Sequence, residues 1–119
     1  KQILTRLLQA GTLLWGSVIF FFSILGPPPV AEQTTDLVLH FSAYLLLSFI
    51  AIHAFKQKMR TRLIILAIAC YGVIMEILQH FVGRSMSIYD ASANIIGVIT
   101  AAAIIYAFER ISSLQARKS

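Results

Sequence analysis

Asp36, His40, Glu76, Gln79, His80, Arg84, Asp90 and Asn94 are the residues of this chain whose types and spacing could do chemistry. Carboxylates beside imidazoles can pass protons, and an arginine can hold an anionic group through charge-assisted hydrogen bonds. Six of these residues fall within one stretch, EILQHFVGRSMSIYDASAN (76–94), set between long apolar runs. Asp36, His40 and Tyr44 step by four, as do Glu76 with His80 and Asp90 with Asn94, while Gln79 follows Glu76 by three. Steps of three or four put side chains on one helix face, so each group reads as a polar stripe on a helix.

The elements that must carry these stripes are membrane-spanning. Of the 119 residues, 58% are hydrophobic and only 13% are charged, against about a quarter charged in soluble domains. That composition predicts an all-α polytopic membrane protein, a single domain over 1–119. Four stretches reach the roughly 20 residues needed to cross hydrocarbon: about 5–25, 36–55, 62–82 and 88–108. Pro27, Pro28 and Pro29 stop the first, because proline cannot continue a helix interior. The Leu7–Leu25 run is longer than the h-region of a signal peptide and reads as a retained span. The short VGRSMS turn makes the last two spans an antiparallel hairpin.

Nine of the ten lysines and arginines lie at the N-terminal end, between the second and third spans, or in the C-terminal tail. By the positive-inside rule both termini and the 56–62 connection are cytoplasmic. Arg84 is the single basic residue expected outside. The net charge of +5 is therefore a matter of anchoring, and no nucleic-acid partner is expected. Membrane lipids are the expected surroundings.

This topology brings Asp36 and His40, the end of the third span and the start of the fourth to one depth near the outer interface. Glu76 precedes Arg84 by eight residues, about 12 Å of helix at ~1.5 Å per residue, so it lies within the hydrocarbon. A lone acid there costs on the order of 2–3 kcal/mol and needs a partner. Plainer roles exist for several of these groups. Asp36 suits the positive end of a helix, Ser87-Ile88-Tyr89-Asp90 resembles a capping box, and Gln79 and Asn94 can bond between helices. His53 reads as structural, Cys70 as a small buried hydrophobe, and Trp15 as a mid-span packing residue. Ala93, Gly97 and Ala101 form a small-residue stripe that permits close helix packing.

Asp36-x-x-x-His40-Phe41, Gly72-x-x-x-Glu76-x-x-Gln79, Arg84 beside a tight turn, and Asp90-x-x-x-Asn94-x-x-Gly97 occur in that order. This pattern, over residues 36–97, resembles the VanZ-like family of small integral membrane proteins. Leu37 departs from it, since members often carry lysine after the aspartate. The resemblance implies a bacterial cytoplasmic (inner) membrane protein of the cell envelope, from a family named for an accessory protein of glycopeptide resistance. Gly72 joins the packing residues on this pattern. The residues then support an outward-facing cluster that binds an anionic envelope ligand: a lipid, an isoprenoid-linked precursor or a glycopeptide-like molecule. One alternative is an accessory subunit of a larger membrane protein complex. Another is an intramembrane enzyme using His40 or His80 with Glu76 or Asp90 as acid and base, or the same groups as ligands of a metal. The absence of HExxH, P-loop and serine-nucleophile patterns weighs against it. No cofactor and no metal ligand set are expected from spacing alone.

Overall fold

The computed structural model describes residues 1–25, 33–84 and 86–119. The three prolines expected to stop the first span lie outside the described residues. The described chain is all-helical: α1 (Gln2–Ile24), α2 (Gln33–Phe55), α3 (Thr61–Phe81) and α4 (Ile88–Lys118). All four are long and apolar enough to cross a membrane. Their outward faces carry leucine, isoleucine and phenylalanine, including Leu14, Ile74, Ile99 and Phe108.

Three boundaries differ from the sequence expectation by three residues or more, the first being α1, which begins at Gln2 where about 5 was expected. Helix α2 begins three residues earlier than 36, which puts Asp36 within its first turn. Helix α4 continues ten residues past Phe108 to Lys118. The apolar run does end there, but Glu109, Arg110, Leu114, Gln115 and Arg117 are good helix formers, and nothing stops the helix. Cys70 also departs from expectation: it lies exposed on α3, facing the bundle's surroundings.

In lipid, helices associate through packing and hydrogen bonds, not through release of water. The small-residue stripe supplies the packing. Ala93, Gly97 and Ala101 are buried, and α4 lies so close to α2 that a Cβ on Gly97 would stand 2.5 Å from the Phe41 carbonyl oxygen. Gly72 makes a similar approach from α3, where a Cβ would meet Tyr44 Cε1 at 3.1 Å and Asn94 Cβ at 3.2 Å.

Helix α1 is attached differently. Ile19 is its one buried residue, and side-chain-to-backbone hydrogen bonds hold it along its length. Gln9 Nε2 donates to Ala54 O (3.3 Å), Trp15 Nε1 to Ala43 O (3.0 Å) and Tyr71 Oη to Gly16 O (2.6 Å). Gln79 Nε2 donates to Ser23 O (3.2 Å) and Arg84 to Phe22 O (3.3 Å). Trp15 is therefore a packing residue with a specific bond, half-buried against α2.

Candidate functional site

The ends of α1 and α3 and the starts of α2 and α4 meet at one end of the bundle, and local sequence decides what each presents there. Helix α3 stops in a Schellman arrangement: Arg84 N–H donates to Gln79 O (2.9 Å) and Gly83 N–H to His80 O (3.2 Å). Gly83 takes φ +85°, a conformation that disfavours any side chain. The tight turn brings Arg84 to the last turn of α1, where its guanidinium meets the Phe22 carbonyl. A cation suits this negative end of a helix.

At the start of α4, Ser87 is the N-cap, and its hydroxyl accepts from Asp90 N–H at 3.3 Å. In a capping box the residue at position 90 would return a bond to Ser87 N–H. Here the carboxylate of Glu76 accepts that proton, at 3.3 Å. Glu76 thus has a backbone partner although it is 2% exposed, and the Asp90 carboxylate is left facing α2.

His40 is what it faces. Its Nδ1 lies 3.0 Å from Asn94 Oδ1 and 3.8 Å from Glu76 Oε1. Its Nε2 lies 3.7 Å from Asp36 Oδ1 and 3.7 Å from Asp90 Oδ2. Three carboxylates and an amide from α2, α3 and α4 therefore surround one imidazole. Asp36 and Asp90 occupy the first turns of α2 and α4, where the partial positive charge of each helix end favours an anion.

Beside the cluster, a cavity of about 910 Å³ opens between α1 and α2. Trp15, Val18, Ile19 and Phe22 of α1 face Leu39, Ala43 and Leu46 of α2 across it. Its polar end is formed by Asp36, His40, Gln79, Arg84 and Asp90.

Of the eight residues singled out in the sequence, seven gather at this end. Asp36, His40, Glu76, Asp90 and Asn94 form the cluster, and Gln79 and Arg84 join it to α1. His80 does not gather. It is exposed on the outer side of α3, beside the Phe81 ring. The α1 wall of the cavity, including Ser23, was not singled out as part of a site. Trp15 was the one signal there, as an indole placed within an apolar span. Beyond the cluster, the Tyr44 and Ser48 hydroxyls are buried on α2 with no hydrogen-bond partner among the described residues.

Among the described residues, Asp36, His40 and Asp90 could together hold a metal, each offering one ligand atom within 4.8 Å of the others. No match is found among curated proteins or solved structures. The protein-family model described as VanZ/LLP1 matches residues 14–109, a span that holds the whole cluster and every cavity-wall residue named above. With its four membrane-length helices, the chain is a multi-pass membrane protein of the VanZ/LLP1 family.

Proposed function

We propose that this protein binds an amphiphile in the cavity between α1 and α2, from the outer leaflet of a bacterial cytoplasmic membrane. The observation that carries this reading is the cavity's division into an apolar length and a charged end. Its volume, about 910 Å³, lies within the ~300–1,000 Å³ of small-molecule sites. A hydrocarbon or isoprenoid chain would lie along Trp15, Ile19, Leu39 and Leu46. Its anionic head would meet Arg84, with the second N–H of the Gln79 amide able to donate a further hydrogen bond. The ligand class is an envelope lipid, a lipid-linked precursor or a glycopeptide-like molecule. The distribution of basic residues supports placing the polar end outside and both termini in the cytoplasm.

Native mass spectrometry tests this on protein released from nanodiscs containing a polyprenyl phosphate or a zwitterionic phospholipid. The wild-type protein should retain about one polyprenyl phosphate per chain, and Arg84→Gln should reduce retention roughly tenfold, as loss of a charge-assisted bond implies. Ala43→Phe, which fills the cavity, should also reduce it. Equal retention by all three proteins would remove this reading. Retention of the zwitterionic lipid alone would remove the anionic head.

A further inference from the structure

We propose that Asp36, His40 and Asp90 form a divalent-cation site at the polar end of the cavity. The sequence spacing does not show it, because Asp90 lies 50 residues beyond His40 and reaches it only through the packing of α4 on α2.

In the tautomer whose Nδ1 donates to Asn94 Oδ1, 3.0 Å away, Nε2 carries no proton. The lone pair of Nε2 then points towards Asp36 Oδ1 and Asp90 Oδ2, each 3.7 Å away. One imidazole nitrogen and two carboxylate oxygens thus converge from α2 and α4. The separations exceed the ~2.7–3.2 Å of an N–H···O bond. They are close to the spacing of ligands around a tetrahedral cation: bonds of about 2.1 Å place neighbouring ligand atoms ~3.4 Å apart.

The surroundings are those a metal-binding histidine needs. A ligating imidazole usually gives its other N–H to an oxygen acceptor that fixes its orientation, and Asn94 does so here. Asn94 is 2% exposed and is held where Gly72 and Gly97 let three helices approach. Two carboxylates and a neutral imidazole carry a charge of −2, which a divalent ion cancels in an apolar environment. All three ligand residues also line the cavity, which gives a path in and leaves coordination positions for water or a head group. One nitrogen with two carboxylate oxygens suits Zn²⁺ or Mn²⁺ better than Ca²⁺ or Mg²⁺, whose sites are built from oxygen. The site rests on this cluster alone and does not depend on an amphiphile occupying the cavity.

The test uses full-length protein in detergent without added lipid, stripped with a chelator and then titrated with Zn²⁺, Mn²⁺ or Co²⁺. About one ion per chain should bind. Asp36→Asn, Asp90→Asn and His40→Gln should each weaken binding at least tenfold, and Asn94→Ala by ~10–100-fold, as loss of the partner orienting a ligand does. His53→Gln and His80→Gln, which change exposed histidines, should bind as the wild type does. Co²⁺ in the wild-type protein should show visible absorption bands of a low-coordinate nitrogen–oxygen site, a readout that stands even where a variant fails to fold. Folded wild-type protein that binds none of the three ions would overturn the proposal. Binding undiminished by Asp36→Asn and Asp90→Asn, or abolished by His80→Gln, would overturn it as well.

Discussion

Replacing Gly97 by alanine adds one methyl group at the place where α4 meets the backbone of α2. That Cβ would lie 2.5 Å from Phe41 O and 3.1 Å from Leu45 N, whereas ordinary contact begins near 3.4 Å. Both neighbours are main-chain atoms of a helix and cannot swing aside, so α2 and α4 must part by roughly 0.9 Å. Asn94 lies one turn before Gly97, and His40 adjoins Phe41. The same displacement would stretch their 3.0 Å hydrogen bond to about 3.9 Å, beyond useful range. Overpacking costs about 1–3 kcal/mol, and losing a buried hydrogen bond adds about 1 kcal/mol. Alanine's better helix propensity returns at most about 1 kcal/mol. The net expectation is a loss of about 1–3 kcal/mol. Gly72→Ala is the control. Its Cβ would meet Tyr44 Cε1 at 3.1 Å and Asn94 Cβ at 3.2 Å, an overlap of only a few tenths of an ångström, so although Asn94 Cβ moves only with α4, the cost should be smaller than at Gly97, up to about 1 kcal/mol net. Thermal unfolding in detergent, followed by circular dichroism and by Trp15 fluorescence, separates the two. Gly97→Ala unfolding at or above the wild-type midpoint would refute the close-packing account of the α2–α4 interface.

Three further changes probe other parts of the structure. Asn94→Ala leaves the buried Nδ1 side of His40 without its closest acceptor and should cost about 1–3 kcal/mol, measured as a lowered unfolding midpoint. Trp15→Phe keeps an aromatic wall on the cavity but removes the bond to Ala43 O. It should cost about 0.5–1.5 kcal/mol, and a cysteine pair across α1 and α2 should then crosslink more slowly. Tyr44→Phe removes a buried hydroxyl with no partner among the described residues. The variant should match or exceed wild-type stability, by up to about 1 kcal/mol; a clear loss would mean that the hydroxyl is satisfied.

The four spans were legible because an apolar run of about 20 residues has few other meanings, and most of the cluster was legible because charge is rare in such runs. Helical spacing alone did not separate Glu76 from His80. They are four apart, yet the buried arc of α3 runs through Gly72, Met75, Glu76 and Gln79. At roughly 100° per residue His80 lies about 40° beyond Glu76, past the edge of that arc. Which part of a polar stripe faces inward depends on where the neighbouring helix lies, and Gly72 sets that position. The contribution of α1 was hidden for another reason. Three of its contacts are made by the carbonyls of Gly16, Phe22 and Ser23, and a carbonyl is present whatever residue carries it. The capping of α4 was half legible: Ser87 does what its position in the motif suggests, but the returning acceptor is Glu76, eleven residues upstream. Only packing α3 beside α4 could supply that.

The way α1 is held bears on how freely its sequence can vary. Tyr71, Gln79 and Arg84 grip it by main-chain oxygens, so substitutions at 16, 22 and 23 keep the acceptors as long as the helix persists. Gly16 has open space around its Cβ direction and should accept most side chains. The donor positions have no such latitude, because each needs a particular side chain to reach across. A saturation library scored for stable membrane accumulation should therefore tolerate replacement at 16, 22 and 23 far better than at 71, 79 and 84. On this account α1 can be rewritten where its main chain does the holding, at 16, 22 and 23, while Gln9 and Trp15, which reach α2 with their own side chains, and the polar end opposite keep their composition.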